Sequence, residues 1–530
     1  MNDERFSTVR EGTPPEVAFP RRYNAAVDLL ERHLAAGRGA KVAVRDDSGA
    51  VTYSELAERV DRAGNALAAL GVRHEERVLL ALLDTRDFPA VFLGAIKLGA
   101  VPVPVNTLMQ PQDYAHFAKD SRARVLVVSD ALLPKFSQAI AESRFLQHVL
   151  VARTPLGGEP GAHPLLEDLL ARASPQLEAA DTCADDAAFW LYSSGSTGAA
   201  KAAVHLQTHL VQTAVLYAQQ IVGVGEGDVI FSAAKLFFAY GLGNGLTFPL
   251  YAGATAVLMA ERPTPAAVMR RLREESPSIF CGVPTLFASL LADPALASEP
   301  VPARLRLCLS AGEPLPRHLG ERWRARFGCD ILDGLGSTEM PHIFLSNRPG
   351  EVRYGTTGRP VPGYTLELRG DDGESVADGE EGALWVRGPT ACAHYFNQRE
   401  KSLATFHGAW TRTGDRYLRA PDGTFTYCGR SDDMLKVGGI WVSPFEVESL
   451  LSSHEAVLEA AVVGHEDADG LIKPKAYVVV KPGAQAPSEE ELKLFVKEKL
   501  APFKYPRWVE FVDGLPKTAT GKIQRFKLRG

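Results

Sequence analysis

The sequence predicts an α/β protein. A large N-terminal domain of two layered α/β sheets carries a small β-rich subdomain and is followed by a small α+β C-terminal domain. Three observations carry this. Short apolar runs alternate with amphipathic helix patterns over the first two-thirds of the chain. After about Gly350 the pattern becomes strand alternation broken by acidic glycine turns. From about Asp432 a separate rhythm of strands and one helix begins.

RVLLALL (Arg77 to Leu83) reads as a short buried strand, and DFPAVFLGAIKLG after it has helical spacing. AVPVPVN (Ala100 to Asn106) is strand-like, QDYAHFAKDS helical, and ARVLVVS (Ala123 to Ser129) a strand. A Pro/Gly/Ala-rich stretch from Arg153 to Asp186 interrupts the pattern. DVIFSAA (Asp228 to Ala234), ATAVLMA (Ala254 to Ala260), SIFCGVP (Ser278 to Pro284) and RLCLSAG (Arg306 to Gly312) are the next strands, with AAVMRRLREE as an intervening helix. Apolar strands separated by helices imply parallel sheets covered on both faces. Two similar sheet layers are therefore expected. TLELRGDDGESVADGEEGALWVRGP reads as antiparallel hairpins. VLEAAVVGHE, KPKAYVVVK and WVEFVDGLP are the strands of the last block, and SEEELKLFVKEKL is its helix. The expected boundaries are 1–431, with the β-rich subdomain at about 350–428, and 432–530.

The 530 residues are 45% hydrophobic and 23% charged, as in soluble globular proteins. A formal net charge of -6 gives no reason to expect a nucleic-acid surface. The six cysteines, Cys183, Cys281, Cys308, Cys329, Cys392 and Cys428, are dispersed without C-x-x-C spacing, which favours free thiols over zinc or disulfides. The opening MNDERFSTVREGTPPEV lacks the apolar core of a signal peptide. No run approaches ~18 apolar residues, so no membrane association is expected and the cytoplasm is the expected location.

The string YSSGSTGAAK, Tyr192 to Lys201, follows the strand-like AAFWLYSS. Gly195 and Gly198 permit close backbone approach to a ligand. Ser193, Ser194, Ser196 and Thr197 offer hydroxyls and Lys201 a charge, a set able to wrap phosphates. No GK[ST] closes it, so it is not a Walker loop. Alone it reads equally well as a Ser/Gly turn. In DGLGSTE, Asp333 to Glu339, Gly334 and Gly336 let the backbone lie flat against a base, Thr338 can donate to a phosphate oxygen, and Glu339 offers a hard oxygen to Mg²⁺. In isolation a Gly-rich loop with a solvated acid explains it better. WTRTGDRY (Trp410 to Tyr417), YCGRSDDMLKVGGIWVSPFEVE (Tyr427 to Glu448) and PKTATGKIQR (Pro516 to Arg525) complete the set.

Together, and in this order, these strings resemble the signature segments of the adenylate-forming superfamily of acyl-CoA synthetases, peptide-synthetase adenylation domains and luciferases. The resemblance runs from TYSEL (Thr52 to Leu56) to Lys522. The usual first signature has a Pro before its lysine and a Gly after it; here Ala200 and Ala202 stand there. The resemblance implies ATP, Mg²⁺ and coenzyme A as co-substrates. It places the 193–201 loop on the phosphates and Asp333 and Gly334 at adenine. Asp415 and Arg430 fall at the ribose, where a carboxylate suits a vicinal diol. It makes Asp432 the hinge of a mobile C-terminal domain and lays Gly438 and Gly439 beside the pantetheine arm. It also makes Lys522 the lysine that bridges substrate carboxylate and α-phosphate.

KLFFAYGLGN (Lys235 to Asn244), LSAGEPLP, GSTEMPHIFLSN, GIWVSPFEVE and KYPRW are similar to the aryl-CoA ligase subgroup, benzoate–CoA ligases with their 4-hydroxybenzoate and 2-aminobenzoate relatives. Phe238, Ala239 and Tyr240 would line one side of an acid pocket, and Gly336, His342 and Ile343 the other. Flat small-residue surfaces with aromatic walls suit a planar ring. Phe237 is expected in the core. Benzoate ranks first, then hydroxy- or aminobenzoate, on a monomer or homodimer. FFAY lacks the acid that peptide-synthetase domains use to pair an α-amino group. YGLGNGL fails the G-x-G-x-x-G spacing of a dinucleotide oxidoreductase, and HEDAD lacks the second histidine of a metal hydrolase. A fatty-acid or carrier-loading adenylating enzyme and a non-catalytic homologue remain as alternatives.

Overall fold

The computed structural model describes residues 4–193, 200–293, 295, 300–431, 433–437, 440–467, 471–501, 503–517 and 523–529. Two parallel-strand layers dominate the first part. Strands Val101–Pro104, Arg77–Ala81, Val125–Ser129 and His148–Ala152 form a four-stranded sheet, parallel throughout. All five residues of Val125–Ser129 are buried, as the unbroken apolar run requires.

The second layer is larger than the first. Its nine strands run, from one edge, Arg359–Pro360, His342–Ser346, Ile331–Ser337, Leu307–Ala311, Ile279–Gly282, Val229–Ser232, Thr255–Val257, Val42–Asp46 and Gly49–Thr52. The interior pairings are parallel and the edges antiparallel. The expected similarity of the two layers therefore fails. Hairpin returns extend only the second sheet, one of them built from the DGLGSTE string, which the sequence suggests is a loop. Its glycines do not end the strand, because Gly334 pairs with Ser346 and Gly336 with Ile343.

Helices Tyr53–Ala69 and Asp87–Lys97 pack in the core shared by both sheets. The first begins at a capping box in which Thr52 and Glu55 satisfy each other's backbone amides. The two cross at Gly64 and Gly94. A Cβ at Gly94 would stand 2.7 Å from the Val60 carbonyl oxygen, so only glycine permits this approach. Every residue of Asp87–Lys97 is buried.

Strands Thr365–Arg369, Glu381–Arg387, Phe406–His407, Trp410–Arg419 and Phe425–Arg430 form an antiparallel sheet, as the hairpin pattern implies. Strands Val457–Glu466, Ile472–Val480 and Trp508–Phe511 form a three-stranded sheet. Helices Pro444–Ser452 and Glu489–Lys497 cover it, burying Val447, Leu451, Leu492 and Val496 against Val462 and Val478. No helix among the described residues is long and apolar enough to cross a membrane.

Candidate active site

A cavity of about 420 Å³ opens where the carboxyl ends of the two sheets converge. Leu83, Thr107 and Ala131 follow strands of the four-stranded sheet, and Ala233, Val283 and Gly312 follow or end beside strands of the larger one; all six line it. Strand ends leave their last backbone groups and the following loops free to meet a ligand, the usual location of sites in parallel sheets.

Phe238, Ala239, Tyr240, Gly336, His342 and Ile343 all border this cavity, with Thr338 beside them. Phe238 is extended and caps the short helix Ala239–Leu242, which turns Tyr240 inward. Phe237 is buried and is not part of the lining. Gly336 sits at a bulge in the hairpin. A Cβ there would meet the His342 carbonyl oxygen at 2.4 Å, so a side chain would break the hairpin as well as fill the pocket.

His342 is held by rings on several sides. Tyr240 stacks on it at 5.7 Å between centroids, Tyr217 lies at 5.1 Å, and Phe248 meets it edge-on at 4.4 Å. Burial pushes its pKa down to about 3, against a smaller opposing pull from the Tyr240 carbonyl, so the ring is neutral at physiological pH. Among the described residues neither ring nitrogen has a hydrogen-bond partner, nor does the Tyr240 hydroxyl. A neutral imidazole offers one donor and one acceptor, but these nitrogens and the Tyr240 hydroxyl are themselves buried in the packed wall of the cavity.

A second group of polar side chains gathers at Glu339. Its Oε1 accepts from Ser193 Oγ at 3.3 Å and from the Tyr395 hydroxyl at 2.7 Å, and lies 4.0 Å from Lys201 Nζ. Lys201 also donates to the Tyr395 hydroxyl at 2.9 Å. Desolvation lowers the Lys201 pKa, and Glu339 opposes it. All three contacts fall on Oε1; among the described residues Oε2 has none. One available carboxylate oxygen fits Mg²⁺, which takes one or two carboxylates plus substrate phosphates rather than a protein cage. Consistently, no cluster of three or more His, Cys, Asp or Glu able to hold a metal occurs among the described residues.

Asp415 and Arg430 face each other in register across adjacent antiparallel strands, with Nη1 3.0 Å from Oδ1. Arg430 also donates to the Thr413 carbonyl. Asp333 is buried, and burial raises its carboxyl to about 7 against hydrogen bonds from the Leu315 and Gly334 amides and Thr357. Gly334 packs on Ile343. The partly exposed stretch of this hairpin is Leu335 to Glu339. Ser194, Gly195, Ser196, Thr197, Gly198, Asp432, Gly438, Gly439 and Lys522 lie outside the described residues.

Sequence reasoning missed Tyr395 and the Lys235–Asp84 pair. Tyr395 stands in ACAHYFNQRE, whose chemistry is visible only once Glu339 is beside it. Lys235 opens the KLFFAYGLGN string, yet its partner Asp84 belongs to the other sheet.

The AMP-binding enzyme family matches residues 30–396, and the AMP-binding enzyme C-terminal domain matches residues 446–522. A benzoate–CoA ligase of Thauera aromatica is 60% identical over 521 residues, 98% of each chain. A 4-hydroxybenzoate–CoA/benzoate–CoA ligase of Rhodopseudomonas palustris is 50% identical over 96% of this chain and 94% of that one. Among solved structures, a benzoate CoA ligase from Burkholderia xenovorans has a TM-score of 0.88 at 54% identity, covering 96% of this chain and 100% of that one. An anthranilate CoA ligase in complex with anthranoyl-AMP has a TM-score of 0.92 at 43% identity, over 96% and 97%. With both family regions matched and relatives this similar along nearly the whole length, the chain belongs to the AMP-binding enzyme family.

Proposed function

We propose that the protein is an ATP-dependent aryl-CoA ligase, an acid–thiol ligase that activates benzoate or a simple hydroxy- or aminobenzoate. One observation carries this reading: an aromatic-walled cavity and a carboxylate suited to Mg²⁺ lie on the same hairpin, at His342–Ile343 and Thr338–Glu339. The relatives named for benzoate, 4-hydroxybenzoate and anthranilate support the ring as substrate.

The ring lies in the cavity beside Phe238 and Tyr240, with its carboxylate toward Thr338. A carboxylate oxygen attacks the α-phosphorus of ATP, the bond to pyrophosphate breaks, and acyl-adenylate forms. Thr338 and Lys522 stabilise the charge that develops on the transferring phosphoryl group. Lys201 and the 193–198 hydroxyls and amides hold the β- and γ-phosphates. Asp415 accepts from the ribose hydroxyls, with Arg430 fixing its orientation. Mg²⁺, when bound beside Glu339, offsets phosphate charge. Residues 432–530 then turn about Asp432, removing Lys522 and bringing Gly438–Gly439 to the pantetheine arm. The thiolate of coenzyme A attacks the adenylate carbonyl, and AMP leaves. Residues 1–431 hold the acid and nucleotide through both steps. The enzyme acts in the cytoplasm as a monomer or homodimer.

Pyrophosphate release with Mg-ATP and a panel of acids, each with and without coenzyme A, tests the reading. Benzoate or a simple ring derivative is expected to lead, with turnover multiplied by coenzyme A. Best turnover on octanoate, acetate or phenylalanine would overturn the assignment of the pocket. No acid-dependent release would overturn the activity.

A further inference from the structure

Tyr395 is fully buried between Lys201 and Glu339, and its hydroxyl is the only described group that touches both. The segment around it is stitched to both sides. Val204 donates to the His394 carbonyl, Ala393 to Val204 and Phe396 to Ala202, fixing it to the strand Lys201–Leu206. Cys392 donates to the Glu339 carbonyl at 2.8 Å, and Thr390 Oγ1 to that of Met340. The Tyr395 amide donates to Ser402 Oγ. The ring therefore has no freedom to leave.

The proton order across this triad has one solution. Lys201 can only donate, an ionised Glu339 can only accept, and the phenol does both. Burial and the adjacent Glu339 charge hold the phenol well above its usual pKa, so it stays a neutral donor. Lys201 Nζ also sits 4.0 Å from the centre of the Tyr395 ring, which supplies a second attraction at the same spot. The hydroxyl takes the closest approach to Oε1, and the Lys201–Glu339 ion pair is left loose at 4.0 Å. Lys201 remains available to phosphate oxygens, and the contacts of Glu339 among the described residues fall on Oε1.

We infer that Tyr395 is a positioning residue for adenylation: its hydroxyl fixes Glu339 with one oxygen presented to the divalent cation and holds Lys201 off that carboxylate until phosphates arrive. This rests on the reading of the site as nucleotide-activating. Hydrogen-bond partners of metal-binding carboxylates commonly govern metal affinity by about 10–100-fold. Nothing in this role touches the acid pocket or the thiol step.

The test uses the full chain with Tyr395→Phe, which deletes one oxygen. Mn²⁺ binding in the presence of a non-hydrolysable ATP analogue is followed by electron paramagnetic resonance, alongside Mg²⁺ titrations of pyrophosphate release. The variant is expected to need about tenfold more cation in both assays. KM for benzoate and the conversion of preformed benzoyl-adenylate to thioester are expected to stay at wild-type values. In a Glu339→Gln background, adding Tyr395→Phe is expected to change Mn²⁺ affinity no further, because the hydroxyl acts through that carboxylate. Unchanged Mn²⁺ affinity in Tyr395→Phe, or an equal loss in both backgrounds, would overturn the proposal. The Mn²⁺ measurement needs no acid, so it reads Tyr395 even if the choice of aryl substrate proves wrong.

Discussion

Lys235 and Asp84 meet across the two sheets, with Nζ 3.8 Å from Oδ2, and the lysine lines the cavity between the sheets. Lys235 also donates to the carbonyls of Met259 and Glu261, at 2.7 Å for the latter, while Asp84 Oδ1 accepts from the Leu236 amide. One ammonium thus ties together the strand ends that form opposite walls. Burial raises the Asp84 carboxyl to about 6, with Lys235 pulling the other way. Replacing Lys235 by Met strands two carbonyls and a buried carboxylate, a loss on the order of 3–5 kcal/mol. Urea unfolding should show it. The surviving folded enzyme should have a raised KM for benzoate and a nearly unchanged KM for ATP. Equal rises in both would assign the pair to global stability alone.

A second expectation concerns the two half-reactions. Lys522→Ala should lose ~10²-fold or more of adenylation, the effect of deleting one donor to a developing oxyanion. It should still convert supplied benzoyl-adenylate to benzoyl-CoA. Rapid-quench measurement of each step separates the two, and an equal loss in both would refute the assigned role.

The buried Asp333 makes a pH prediction. Its carboxyl lies at about 7 in the folded chain, raised by burial, and at roughly 4 when unfolded. Between these values the folded state holds the extra proton. The stability this group contributes is complete below pH ~4 and is lost as pH rises through about 7. Asp333→Asn should therefore be less sensitive than the parent to a change from pH 5.5 to 8, as read by the urea midpoint at each pH. Parallel pH dependence in the two proteins would show that Asp333 is ionised throughout.

Strands such as Val125–Ser129 and Leu307–Ala311 were legible because each is an unbroken apolar run, whereas Val42–Asp46, with Arg45 and Asp46, and His148–Ala152 were not read. The hairpin at 331–346 was not. Gly334, Gly336 and the polar Ser337–Thr338 look like loop, and only the pairing partner supplied by His342–Ser346 makes a strand of them. One wall of the cavity was readable from a contiguous string, since Phe238, Ala239 and Tyr240 travel together. Tyr395 and Asp84 escaped for the opposite reason. A tyrosine or an aspartate carries no signal until the fold sets a distant lysine or glutamate beside it.

The hairpin that joins Ile331–Ser337 to His342–Ser346 has a consequence for changing what the enzyme accepts. Its return strand lines the cavity with His342 and Ile343, and its turn carries the Thr338 and Glu339 oxygens that we propose face the phosphates. A substitution that widens the pocket at His342 or Ile343 also pulls on the lever that seats Thr338 and Glu339. Variants with broader acid range should therefore slow in activating every acid, including those that still fit. Compensating changes would fall in the turn rather than in the pocket wall.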